Sequence, residues 1–117
     1  MSELNEFLSY NTNPPSVTGE IKELIDNDRK MLAGEFCRGC GYCMPCPFGV
    51  NIPRNFAFYN DYHIFGDKEK TIASYNRFVK PSEKASNCAE CGKCESHCPQ
   101  AISIIEDLKK VEAIFEA

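Results

Sequence analysis

Eight cysteines carry most of the chemistry that this chain of 117 residues could perform. They form two runs, and in each run three cysteines at three-residue intervals precede a Cys-Pro pair. Thiolates at positions i, i+3 and i+6 of a winding loop can reach three corner irons of a cubane, and the fourth ligand must come from elsewhere. The spacing therefore predicts two 4Fe-4S clusters. The first run consists of Cys37, Cys40, Cys43 and Cys46, and the second of Cys88, Cys91, Cys94 and Cys98.

The pairing of ligands with clusters follows from the two Cys-Pro pairs. In two-cluster ferredoxins the cysteine of each such pair ligates the cluster of the other run. The first run departs from the usual bacterial pattern, because two residues rather than three separate Cys43 from Cys46. We predict one cluster held by Cys37, Cys40, Cys43 and Cys98, and the other held by Cys88, Cys91, Cys94 and Cys46.

Zinc is the alternative metal, because four-cysteine zinc sites also use Cys-x-x-Cys pairs. Such sites join two pairs and have no use for a third cysteine at i+6, so the pattern favours iron and sulfide. A radical-generating cluster commonly shows Cys-x3-Cys-x2-Cys, but no further cysteine follows Cys94-x3-Cys98. Eight thiolates saturate two clusters and leave no iron open to a substrate. The predicted function is single-electron transfer, with no catalytic residue in this chain.

Residues inside and beside the loops have two interpretations each. Gly39, Gly41 and Gly92 either aim backbone N–H groups at sulfur, which would raise a cluster's potential, or serve as turn glycines. Tyr42 and Phe48 either shield the first cluster from water or pack against a helix.

Three polar side chains next to the cysteines receive no ligand role. His97 is interpreted as a solvated loop histidine, because its cluster already has four thiolates. Arg38 and Lys93 either balance the negative charge of the clusters or are simply exposed, and we favour exposure.

The rest of the sequence predicts helices and no strand, which places the chain in the all-α class as a helical ferredoxin-type domain with cluster-binding loops. Residues 1–17 are predicted to be a linker or the end of a preceding domain, with at most a short helix over Glu3–Leu8 after a Ser2 cap. Residues 18–117 are predicted to form the two-cluster domain.

Four helices are predicted in that domain from apolar periodicity, caps and prolines. Their positions are 18–32 with Gly34 ending the helix, Asn51 to near Tyr62 with Pro53 at the start, Asp67 to Pro81, and a last helix after Pro99 whose apolar residues include Ala101, Ile104, Leu108 and Phe115.

Charge and hydropathy argue against two classes of partner. Thirteen basic and seventeen acidic residues give a formal charge of −4 without a basic run, so we predict no nucleic-acid partner. The first residues are unlike a signal peptide, and the longest apolar stretch, Phe56–Tyr59, is too short to span a membrane.

Regularly spaced cysteines indicate a metal site in a reducing compartment, so we expect a cytoplasmic location. Two clusters would take the charge to about −8 and favour a redox partner protein with a basic patch.

The first run also contains Gly41-Tyr42-Cys43-Met44-Pro45-Cys46-Pro47, and Ile52-Pro53 and Tyr59-Asn60 follow it. With Cys98-Pro99-Gln100 in the second run, this pattern resembles the carboxy-terminal ferredoxin-like extension of a bacterial and archaeal branch of the aldo/keto reductases. The resemblance implies an all-helical domain with two 4Fe-4S clusters, attached in the same parent chain to a nicotinamide-dependent aldo/keto reductase-type barrel. The barrel and its catalytic residues are absent from this sequence, so the resemblance assigns no catalytic role here.

Two rival functions stay open. In the first, zinc or iron-sulfur groups only staple a small fold, and apolar helix faces dock a partner; reversible reduction would argue against this reading. In the second, the chain is an enzyme in its own right, although no arrangement of base, nucleophile and pocket in the sequence indicates one.

Overall fold

The computed structural model describes residues 1–32, 34 and 36–117, and it divides the chain into two compact units, Met1–Met31 and Leu32–Ala117. The described residues form helices, turns and loops without a strand, as the sequence predicts. None of these helices is both long enough and apolar enough to cross a membrane. The predicted domain boundary at residue 17 stays a prediction.

Helix α1 is longer than predicted. It spans Ser2–Thr12 instead of Glu3–Leu8, and Ser2 lies inside the helix instead of capping it. The reason is that nothing stops the helix before Pro14, which disfavours helical geometry at the residue preceding it. Helix α2 spans Gly19–Leu32, close to its predicted range. Neither helix has a buried residue.

Helices α3 and α4 begin where their caps predict. Helix α3 spans Ile52–Ile64, and Asn51 Oδ1 accepts a hydrogen bond from the N–H of Arg54 at 3.3 Å. Helix α4 spans Lys68–Phe78, and Asp67 Oδ1 accepts from the N–H of Lys70 at 3.1 Å. Side-chain acceptors at the N-cap satisfy amides that the helix itself leaves unpaired.

The ends of these two helices lie within a few residues of the predicted ones. Helix α3 continues to Ile64, two residues beyond Tyr62. Helix α4 ends before Pro81, because Val79 already has extended backbone. Pro81 instead begins the 3-10 turn Pro81–Glu83, which a second turn, Ala85–Asn87, follows.

The carboxy-terminal helix also begins later than predicted. After a short helix α5, Lys93–Ser96, the last helix α6 spans Ile104–Phe115. Ala101, predicted to lie in it, has a φ of 54°, which a right-handed helix cannot contain. This local turn lets Ile102 enter the core at 4% exposure before α6 begins.

The core of the second unit is apolar and draws on α3, α4, α6 and the segments between them. Burial of such side chains is the main favourable term in folding. The buried apolar residues are Val50, Ile52, Phe56, Tyr75, Val79, Ala85, Ile102, Ile104, Leu108, Val111 and Phe115.

One polar network crosses this core. The Tyr75 hydroxyl lies 2.7 Å from both Asn55 Oδ1 and Glu116 Oε1. Asn55, which is fully buried, uses its Nδ2 to donate to the carbonyls of Asn51 and Glu83, both at 2.8 Å. Burial, and secondarily the bond to Glu116, raises the pKa of Tyr75, so its phenol stays a neutral donor. The network ties α3, α4 and the end of α6 together.

Removing the Tyr75 hydroxyl tests this network. We expect Tyr75→Phe to cost about 1–3 kcal/mol, because it leaves buried polar atoms of Asn55 without their partner. The readout is the apparent Tm of anaerobic protein, which should fall by about 4–8 °C per kcal/mol lost. Tyr62→Phe is the matched control, since that ring also packs on Phe115 but its hydroxyl is outside the network. Equal Tm values for the two variants would contradict the assignment.

Candidate metal centre

The first of two cysteine-lined cavities collects residues from both runs. Cys37, Cys40 and Cys43 line it together with Cys98 from the second run. The cavity is narrow, about 20 Å³, and we call it the first site. Its apolar wall consists of Ile52, Pro53, Phe56, Ile102 and Ile104.

The second cavity is larger, about 280 Å³, and is named the second site. Cys88, Cys91 and Cys94 line it together with Cys46 from the first run, and Cys43 also reaches its wall. The structure thus brings together the cysteines that the sequence groups by cluster, while the ligation itself stays a prediction. The apolar wall of the second site includes Val50, Ile52, Ile105 and Leu108.

The two cysteine loops share backbone conformation on both sides of their second cysteine. Gly41 and Gly92 directly follow the second cysteine of each run, with φ values of 79° and 76°. The residues before those cysteines, Gly39 and Glu90, also have positive φ, at 70° and 54°. An added Cβ would meet nothing within 4 Å at Gly39, Gly41 or Gly92, so backbone conformation and not crowding requires glycine there. The two runs therefore present their second cysteine on a similar turn.

The exposure of the thiols repeats in the same way. Cys40 and Cys91, the second cysteine of each run, are exposed, and the other six are half-buried. Burial, partly offset by a backbone hydrogen bond and reinforced by neighbouring thiols, raises the pKa of Cys43 to about 11. Burial is also the largest cause of the raised pKa of Cys37 and Cys94. Metal binding requires thiolates, so it must displace these protons.

Hydrogen bonds from outside the runs hold the first loop. The Asn60 Nδ2 donates to the carbonyl of Cys37 at 2.9 Å. Arg38 Nε donates to Gln100 Oε1 at 3.0 Å, and this bond joins the two runs. The Gly39 N–H points at Cys37 Sγ at 3.3 Å, which supports one of the two roles considered for that glycine. Asn60 and Gln100 were given no role from the sequence, because no local spacing signals a contact between distant segments.

The remaining flanking residues lie at the rim of the second site. Tyr42, Phe48, Lys93 and His97 line its cavity and are all exposed. Tyr42 and Phe48 therefore border the second site, although the sequence associates them with the cluster of the first run.

The donor set fits iron-sulfur clusters. Four soft thiol donors and a largely apolar wall in each cavity suit a cluster that must be ligated and shielded from water. Among the described residues, no three Cys, His, Asp or Glu side chains converge on one point that would hold a single metal ion.

Replacing one Cys-Pro cysteine at a time tests the pairing. We expect Cys98→Ser to damage the cluster of the first site, and Cys46→Ser to damage that of the second, because each loses one of four thiolates. Electron paramagnetic resonance of the reduced variants, with iron content, provides the readout. Loss of the second site's signal in Cys98→Ser and of the first site's signal in Cys46→Ser would show that the ligands do not cross.

Comparison with known proteins identifies the domain. The family model described as 4Fe-4S dicluster domain matches residues 36–103, more than half of the chain, and this segment contains all eight cysteines. No curated protein and no solved structure matches the chain. The all-helical fold and the eight thiols agree with the family match, and the chain belongs to the 4Fe-4S dicluster domain family, whose two 4Fe-4S clusters its cysteines fit.

Proposed function

We propose that this chain is an electron-transfer module. The observation that carries the proposal is that the two cavities gather all eight thiols, four for each predicted cluster, so a cluster bound there has no iron left for a substrate. When bound, each cluster supplies a carrier for one electron. The role of the chain is then to hold, insulate and connect the two carriers.

The residues around the sites support that role. Ile52, which is 1% exposed, lines both cavities and keeps water out of the space between them. Cys40 and Cys91 are exposed, so each site has one edge that a redox partner can approach. An insulated interior with two accessible edges suits a relay.

A structural module is the second candidate, and one observation favours it. Six of the eight cysteines pack against the hydrophobic core, so the metals would also staple a small fold. Stapling alone does not require clusters that change oxidation state, and redox behaviour therefore separates the two functions.

The deciding experiment is metal and sulfide analysis of anaerobically purified protein, with electron paramagnetic resonance before and after dithionite. We expect about eight iron and eight sulfide per chain and a signal in the reduced state that disappears on reoxidation. About two zinc without sulfide, or clusters that cannot be reduced reversibly, would support the structural module instead.

We further propose that the module serves an oxidoreductase with an aldo/keto reductase-type barrel in the same parent chain, in the cytoplasm. The Tyr-Cys-Met-Pro-Cys-Pro segment at residues 42–47 and its surroundings support this, through the resemblance to the extension of that family. The negative charge of the module favours a basic patch on any separate redox partner protein.

The size of the natural protein tests the parent chain. An antibody raised against this module should detect, in extracts of its source cells, a protein far larger than the 13.2 kDa of the module. Peptide mass spectrometry of that band should then yield barrel sequences. A band only near 13.2 kDa would contradict the attached barrel and leave the electron-transfer function standing.

A further inference from the structure

The two sites differ in the charges fixed beside them, and Glu95 is the clearest difference. Glu95 follows Cys94 in α5 and is half-buried. Its Oε1 accepts a hydrogen bond from the N–H of Ile105 at 3.0 Å, and Ile105 lines the second site. The bond satisfies a free amide at the start of α6, where Ser103 provides no side-chain cap. A carboxylate is thereby anchored next to the second site.

No other charged side chain described near the second site is held in a fixed position where it would neutralise the Glu95 carboxylate. Lys93 lines the cavity but is exposed, and an ammonium on a flexible stem is strongly hydrated. Glu90 and Lys109 neutralise each other in an exposed ion pair at 2.9 Å. His97 at the rim is exposed as well.

The first site has a clamped cation instead. Arg38 lines this cavity, and its Nε donates to Gln100 Oε1. Its guanidinium carbon lies 4.8 Å from the centroid of the Phe36 ring. Two contacts therefore hold the charge, although Arg38 itself is exposed. An acidic residue, Asp61, lines an adjoining recess that Arg38 also lines.

These charges act in opposite directions on electron uptake. Reduction adds one negative charge to a cluster, so a nearby carboxylate disfavours it and a nearby guanidinium favours it. Partial burial reduces the screening of Glu95 by water, whereas exposure weakens the effect of Arg38.

We propose that Glu95 makes the cluster of the second site the harder one to reduce, and that Arg38 makes that of the first site the easier one. The inference rests on the proposed electron-transfer function and adds a direction to it. One electron passes from the second site, which is oxidised, to the first site, which is reduced, and no bond or proton changes. Donors then act at the second site and acceptors at the first.

The test is an anaerobic redox titration of the intact chain followed by electron paramagnetic resonance. Wild type should show two midpoint potentials. Glu95→Gln keeps an acceptor for the Ile105 N–H but loses the charge, so it should raise only the lower midpoint potential. The expected rise is at most ~59 mV, which for one electron is a tenfold change in the ratio of reduced to oxidised cluster. Arg38→Gln should lower only the higher midpoint, and Arg38→Lys, which keeps the charge but loses the contacts that hold it, should lower that midpoint less. Glu69→Gln, which removes the same charge from the exposed start of α4, is the control and should move neither.

Several results would overturn the inference while leaving the proposed function intact. These are a single midpoint in wild type, an unchanged lower midpoint in Glu95→Gln, or a change of the higher midpoint in that variant. If Glu95→Gln does not assemble both clusters, Arg38→Gln decides, because a shift of the lower midpoint would reverse the assignment. Absence of any reversible couple in a chain that contains iron and sulfide would overturn the inference and the proposed function together.

Discussion

The structure of the second unit depends on one constraint: each cysteine-lined cavity is lined by three thiols of one run and by at least one thiol of the other. Two segments separated by α3 and α4 must therefore meet twice, once at each cavity. The core makes this possible, because Ile52 begins α3 and contributes to the walls of both cavities. The hydrophobic core and the two cysteine-lined cavities therefore share residues and depend on the same packing.

Around the second cysteine of each run, the two loops share a conformation that overrides a local preference. Glu90 has a φ of 54°, a conformation that costs an ordinary residue about 1 kcal/mol or more, whereas the first loop has Gly39 at the same position. The second loop adopts this conformation without glycine because Cys91 must be placed as Cys40 is. The surroundings do not share the repeat, since the carboxylate of Glu95 and the guanidinium of Arg38 carry opposite charges.

Local signals in the sequence predicted the parts of the fold that depend on neighbours in the chain. The caps Asn51 and Asp67 each act within three residues, so the starts of α3 and α4 were predictable. The start of α6 was not, because the turn at Ala101 serves burial of Ile102 in a core formed by distant helices. The bond from Asn60 to Cys37 joins segments that no spacing relates, and the sequence gives no sign of it.

The crossing of the two runs also has a consequence for how the protein is made. Polypeptides are synthesised from the amino end at about 5–20 residues per second, so Cys98 emerges several seconds after Cys43. During that interval the thiols of the first run have no complete site and remain open to oxidation or to binding stray metal. With the predicted pairing of ligands, neither set of four thiols is complete before the second loop is made, so the order of translation favours late and nearly simultaneous insertion of both clusters.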